Sequence, residues 1–244
     1  MKYPPKHCEY CTLHKMTLYG AIPDKRLEVI ESLRRERRSV RAKRTIYREG
    51  RPTDEIAVVF DGWAAAFKLL PDGRRQVLSF LLPGDCTGLA LVDSDRLHYS
   101  VQALTDVSLC LLDRRELARL VFHDGELAAH FASVCARQRQ LCDEHLVDLG
   151  RRNAVERVAH LIVTLYHRLQ HRGLTENATM PFPLRQQDIA DAVGLTPIHV
   201  SRVFGTLTGD GIVERKKRML EVHDMAALKE VASTSDRDLL GTAV

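Results

Sequence analysis

The feature that most limits the fold is a change of period at residue 114. From Ser39 to Asp113 the chain runs in short apolar stretches, among them IAVVFDG, YSVQAL and VSLCLLD, punctuated by Gly62, Gly73, Gly84 and Gly88. Alternation with regularly spaced turns is the pattern of an all-β unit. LLPDGRRQ is its hairpin candidate, because Asp72-Gly73 readily supplies the positive φ of a tight turn. Past Arg114 the period becomes helical. No proline lies between Arg115 and Gly150, and Leu127, Phe131, Val134, Gln138, Leu141, His145 and Leu149 recur at spacings of three and four, which predicts one long helix with one apolar stripe. Such a stripe needs a partner. Cys135 and Cys142, seven residues apart beside it, repeat one heptad position, as small residues in or next to a two-helix seam do. The expected dimer interface is therefore Phe131, Val134, Cys135, Gln138, Leu141, Cys142, His145 and Leu149. A second helix follows at AVERVAHLIVTLYHRL, and the polar HRGLTENATMP segment breaks the pattern after it.

The stretch LRQQDIADAVGLTPIHVSRVFGTLTGDGIVERKKR has the form of a helix-turn-helix. Ile189, Ala190 and Val193 make a short apolar helix, Gly194 supplies the turn, and Thr196 with Pro197 forms an N-cap followed by a first-turn proline. On the second helix Val200, Val203, Phe204 and Leu207 can face a core. That leaves Ile198, His199, Ser201 and Arg202 on the side that would enter a major groove. Arg185, Gln187 and Thr196 are placed at the same interface. After them GIVERKKRMLEV predicts a small hairpin whose Arg215, Lys216, Lys217 and Arg218 could touch phosphates.

Charge agrees with this placement. Residues 151 to 220 carry eleven Lys and Arg against six Asp and Glu, a surplus of five where the whole chain has a net charge of +4. The denser run RRERRSVRAKR, from Arg34 to Arg44, precedes a strand and predicts a solvated face. A chain of 244 residues accommodates two modest cores better than one large one. No apolar run approaches the roughly 20 residues needed to cross a bilayer, and the first residues lack the order of a signal peptide. A cytoplasmic protein is expected, with no membrane partner. In that compartment its six cysteines are buried apolar residues, ligands or reactive thiols before they are disulfides.

Three motifs in order, DGRRQVLSFLLPGDCTG, LGRRNAVERVAHLI and DIADAVGLTPIHVSRVFGTL, resemble the Crp/Fnr family of bacterial transcription regulators over about residues 20 to 230. The resemblance implies an α+β chain. Its parts are a tail with CxxC at 1–20, a β-roll sensor domain of the cyclic-nucleotide-binding jelly-roll kind at 21–114, a long dimerisation helix at 115–150, a winged helix-turn-helix at 151–230 and a tail at 231–244. It also implies a homodimer on a near-palindromic operator in double-stranded DNA, with RNA polymerase as a partner if the protein activates, and no enzyme activity. Where the oxygen-sensing members carry a glutamate four residues before the recognition-helix arginine, this chain has Ile198.

The resemblance also addresses the signal. Cyclic-nucleotide members have a glutamate for the ribose and an Arg-Ser pair for the phosphate. Here Leu89 and Tyr99-Ser100 stand in those places, so cyclic AMP is not expected. Oxygen-sensing members hold an iron-sulfur cluster on three N-terminal cysteines and one strand cysteine, a pattern that lands on Cys8, Cys11 and Cys110. Thr17 stands where the remaining thiol would be, which leaves His14, His7 or Cys86 as a substitute ligand. The expectation is an iron-sulfur cluster or other metal on Cys8, Cys11, Cys110 and His14, sensing redox state, oxygen or a gas. The alternatives are a thiol switch, a small molecule or haem in the β-roll, and a regulator with no effector.

Overall fold

The computed structural model describes residues 31–88 and 95–235. The chain divides into two compact units between Ala136 and Arg137. The first contains seven strands, β1 (Arg34–Val40), β2 (Thr45–Tyr47), β3 (Glu55–Asp61), β4 (Ala64–Leu69), β5 (Arg75–Leu81), β6 (Ser100–Ala103) and β7 (Val107–Asp113). They form one sheet in the order β1-β7-β3 and another in the order β2-β6-β4-β5. The expected hairpin joins β4 to β5, with Leu69 opposite Arg75. Gly73 takes φ 86° at its tip, and Asp72 Oδ1 accepts from Arg74 N at 3.0 Å. Gly62 is obligatory for a different reason, since a Cβ there would collide with the carbonyl oxygen of Asp106.

Ile56, Ala57, Val58 and Val59 of β3 are all fully buried, which a sheet edge facing water does not allow. The PGD turn accounts for it. Gly84 N donates to Val59 O at 2.7 Å, Val59 N to Asp85 O at 2.9 Å and Thr87 N to Ala57 O at 2.7 Å. This segment therefore covers the open edge of β3, as an exposed row of backbone donors and acceptors requires.

The helix expected from Arg115 to Gly150 is two helices. Asp113 caps α1 (Arg114–His123), its Oδ1 accepting from Arg115 N at 2.8 Å and Glu116 N at 3.0 Å. Asp124 then leaves the helical region, with φ −122° and ψ 102°. Its own Oδ1 accepts from Glu126 N and Leu127 N, both at 3.1 Å, and starts α2 (Gly125–Gly150). Two aspartates with local acceptors override a continuous apolar pattern.

The expected dimer stripe is partly engaged within its own chain. Val134 belongs to the buried core of the β unit, and Leu127, Phe131 and Cys135 pack against that core. Leu141, His145 and Leu149 are half-buried, and only Gln138 and Cys142 of the set are exposed. A Cβ on Gly194 would meet Leu149 Cδ2 at 3.4 Å, so the late part of the stripe also packs within its own chain. On another side of α2, Ala129, Ala132, Ala136, Arg139, Asp143 and Leu146 are exposed and themselves recur every three or four residues. Periodicity located an apolar face on which Val134 is buried within the chain, while Phe131, Cys135, Leu141, His145 and Leu149 keep part of their surface open.

The second unit contains α3 (Ala154–Gln170), β8 (Thr179–Pro181), α4 (Gln186–Val193), α5 (Pro197–Gly209), β9 (Val213–Lys216), β10 (Met219–Val222) and α6 (Met225–Val231). A capping box starts α3: Asn153 Oδ1 accepts from Val155 N and Glu156 N, and Asn153 N donates to Glu156 Oε2 at 2.7 Å. Val158, Ile162, Leu165 and Leu169 bury its apolar face, and the helix packs against α4, α5 and α6. The predicted hairpin is β9-β10. It gains a third strand, β8, from the HRGLTENATMP segment that was expected only to end a helix. Sheet order is β8-β10-β9, which places Pro181 on an edge, where its missing N–H is tolerated.

Candidate nucleic-acid interface

The helix-turn-helix is built as its residues require. Gly194 ends α4 in the left-handed region at φ 68° and ψ 38°. Thr196 Oγ1 accepts from His199 N at 3.3 Å and Pro197 occupies the first turn of α5. Val200, Val203, Phe204 and Leu207 are buried, whereas Ile198, His199, Ser201 and Arg202 are exposed on the same helix. Ile198 is 67% exposed, an apolar side chain held in water at the start of a helix whose other apolar residues are buried. Among the described residues, no hydrogen bond or ion pair engages the Arg202 guanidinium.

The other expected contacts are engaged within the chain to differing degrees. Arg185 Nε lies 3.1 Å from Asp188 Oδ2, and the backbone N–H of Arg185 donates to that same oxygen at 3.0 Å. The hydrogen bond to Asp188, then its charge, raises the Arg185 pKa. Gln187 Nε2 donates to Asp191 Oδ1 at 2.6 Å. Thr196 uses its lone pair on the cap and keeps its hydroxyl proton for a partner. On the hairpin, Lys216 Nζ lies 2.8 Å from Glu214 Oε2 and 3.4 Å from Glu221 Oε2. Lys217 follows at the exposed turn with φ 56°.

Arg215, expected to touch phosphate, is engaged within its own unit. Its guanidinium carbon sits 5.4 Å from the Phe182 ring centre and 5.7 Å from that of Phe204, and Nη2 donates to Leu184 O. Burial lowers its pKa. The side chain fastens β9 to α5 and to the segment entering α4.

Of the expected metal ligands, Cys8, Cys11 and His14 lie outside the described residues. Cys110 is 7% exposed in β7, between Leu109 and Leu111. Its cross-strand partner Val58 pairs on its other side with Cys86, and Cys135 packs on the same core. Burial pushes the Cys86 and Cys135 thiols up. Among the described residues, the only trio of His, Cys and carboxylate donors within 4.8 Å of one another is Glu214, Glu221 and His223, where the Lys216 ammonium already binds both glutamates. With Thr17 in the chain and Cys86 across Val58 from Cys110, the residues do not fit a four-thiolate iron-sulfur cluster.

Residues 37–124 match the family model for a cyclic nucleotide-binding domain, and residues 156–231 match that for a Crp-like helix-turn-helix domain. The transcriptional activatory protein AadR of Rhodopseudomonas palustris is 31% identical over 231 residues, 92% of either chain. The nitrogen fixation regulation protein FixK of Bradyrhizobium diazoefficiens is 31% identical over 227 residues, 93% of this chain and 94% of its own. The solved structure of FixK2 from Bradyrhizobium japonicum has a TM-score of 0.74 at 30% identity, covering 82% of this chain and 98% of that one. A winged helix-turn-helix joined to a β-roll defines a DNA-binding transcription regulator, not an enzyme. The chain belongs to the Crp/Fnr family. Regulators of this type bind DNA as homodimers and activate transcription with RNA polymerase. Among the described residues no helix is long and apolar enough to cross a membrane.

The buried charge network around His160 and Asp148 was not anticipated, although Glu144, Asp148 and Arg152 at successive spacings of four were a visible signal. For Arg215, replacement by alanine is expected to destabilise the DNA-binding unit by about 2 kcal/mol through loss of ring stacking and of a charged hydrogen bond. Chemical denaturation checks this. A variant that melts like wild type yet loses DNA affinity would return Arg215 to the phosphate-contacting set.

Proposed function

We propose that the chain is a cytoplasmic homodimer whose two α5 helices read the half-sites of a near-palindromic operator, under control of a redox, oxygen or gas signal received at the N-terminal ligands. The observation that carries the reading half is the exposed face of α5. Arg202 is the main direct reader, since an unengaged guanidinium can donate two bonds to guanine O6 and N7. Ile198 packs on a thymine methyl, where a glutamate would accept from cytosine N4. His199, Ser201, Thr196, Arg185, Gln187, Lys216 and Lys217 complete the contact set, the lysines toward phosphate.

Selection of sites from random DNA, followed by titration of the selected and unselected duplexes, tests both base contacts. Arg202→Ala is expected to cost roughly 1 to 3 kcal/mol on the selected site and much less on random duplex. Equal losses would make Arg202 a phosphate contact. Ile198→Glu is expected to move the half-site preference away from thymine at one position.

For the dimer, the stripe from Phe131 to Leu149 is one seam and the exposed side of α2 is another, which we favour. Small Ala129, Ala132 and Ala136 permit close approach of a second helix, and Leu146, at 64% exposed, is an apolar anchor without cover in its own chain. Leu146→Glu is expected to weaken self-association about tenfold by sedimentation, the order of a lost buried leucine. Phe131→Ala should instead destabilise the β unit and leave association unchanged. The reverse result would restore the Phe131 face as the seam.

The signal site is proposed on Cys8, Cys11 and Cys110, with His14 as a fourth, mixed-ligand donor. A metal or small cluster held there would supply a redox-responsive centre. In anaerobically isolated protein, Cys8→Ser and Cys110→Ser should abolish the same absorption band and lower operator affinity alike, because ligands of one site act as a unit. Cys135→Ser and Cys142→Ser should spare it. The burial of Cys110 among strand neighbours favours one rival, a regulator without effector in which Cys110 is a core residue. Unchanged operator affinity in metal-free protein and in Cys8→Ser, in air and without it, would establish that rival.

A further inference from the structure

The linker between α2 and α3 is only Arg151, Arg152 and Asn153, and a buried charge network spans it. His160 of α3 is 3% exposed and Asp148 of α2 is 6% exposed. His160 Nδ1 lies 2.8 Å from Asp148 Oδ1 and 3.0 Å from Oδ2, while its Nε2 lies 3.9 Å from Glu144 Oε2. Arg152 Nη1 lies 2.7 Å from Asp148 Oδ1 and 3.5 Å from Glu144 Oε2. His145 Nδ1 approaches Asp148 Oδ2 at 4.0 Å. From the far side, Arg157 donates through Nε to Arg152 O at 2.7 Å and through Nη1 to Val193 O at 3.2 Å, where α4 ends.

We propose that His160 is a positioning residue for DNA reading: gripping Asp148, it fixes the angle between α2 and the helices that carry the reader. Asp148 has two close cationic or donor partners. Arg152 belongs to the linker and can follow α2, whereas His160 belongs to α3, which packs against α4 and α5. Removing His160 leaves Asp148 still neutralised by Arg152, so the unit folds while the angle loosens. A buried charged pair is weak evidence for stability and better evidence for a fixed geometry.

The angle matters because two recognition helices must meet half-sites one helical turn apart at once. The second contact is intramolecular, and its effective concentration collapses when the geometry is wrong. One half-site makes no such demand. This inference rests on the homodimeric reader described above.

The test compares a full operator with a duplex holding one half-site. His160→Leu is expected to weaken binding to the full operator roughly tenfold, the order of one charged hydrogen bond, and binding to the half-site less than about twofold. His160→Asn, whose amide can still donate to Asp148, should recover most of the loss. Asp148→Asn keeps the volume and should give the same split between duplexes if His160→Leu does not fold. Equal losses on both duplexes, no loss on the full operator, or an Asn variant as weak as Leu would each overturn the proposal. Wild-type protein binding the full operator no better than the half-site would overturn the dimeric reader instead, a separate failure.

Discussion

The rest of the molecule depends on how α2 distributes its sides. One helix of 26 residues belongs to both compact units. Early on, Leu127, Phe131 and Val134 close the core of the β unit. Later, Asp148 pairs with His160, and Leu149 lies under the turn at Gly194. Val134, withdrawn from water, contributes about 1.5 to 3 kcal/mol, and the half-buried Leu127 and Phe131 add part of that each, which favours this side facing inward. With that side engaged, the row from Ala129 to Leu146 stays exposed among the described residues.

This division also explains what could be read in advance. Period and turn chemistry marked the β4-β5 hairpin at Asp72-Gly73 and the reader from Gly194 to Leu207, because in both cases local geometry demands particular residues. An apolar face of α2 was found, but a heptad of apolar residues describes a face to be buried and says nothing of what buries it. The break at Asp124 was legible in the Asp124-Gly125 pair, the same turn dipeptide as Asp72-Gly73, but the apolar period running through it masked that signal. Strand β8 is three residues long in a polar segment and exists through pairing with β10, a long-range contact without a local signature. Arg215 belonged to a basic run, and nothing in a charge count separates a cation lying against two aromatic rings from one in water.

Charge counting and charge availability differ for the same reason across the reading surface. The surplus of five between residues 151 and 220 suggests a generally basic footprint. In the fold, Arg185 is held by Asp188, Lys216 by two glutamates, Arg152 by Asp148, and Arg215 by rings and a carbonyl. A cation already paired must exchange that partner for a phosphate, which reduces its net gain on binding. Arg202 makes no such exchange. It sits on α5 four residues after Ile198, so the face with the least internal commitment also offers the clearest chemical contrast: a planar double donor and an apolar patch.

The position of Cys110 gives any event at that thiol a short mechanical path. Three residues further on, Asp113 ends β7 and caps α1. Burial alone would push the Asp113 carboxyl up, but hydrogen bonds from the Glu116 amide and from Arg35 outweigh it and hold the group below its usual range. Arg35 Nε lies 2.9 Å from Asp113 Oδ2 and its Nη1 2.7 Å from Asp54 Oδ2, so β1, the start of β3 and the start of α1 are tied at one point. A shift of β7 at Cys110 would load this tie and the helix dipole it caps before it reached Asp124, where the second aspartate starts α2. Two capped helix starts in series, and not a single continuous helix, therefore follow the strand cysteine along the chain.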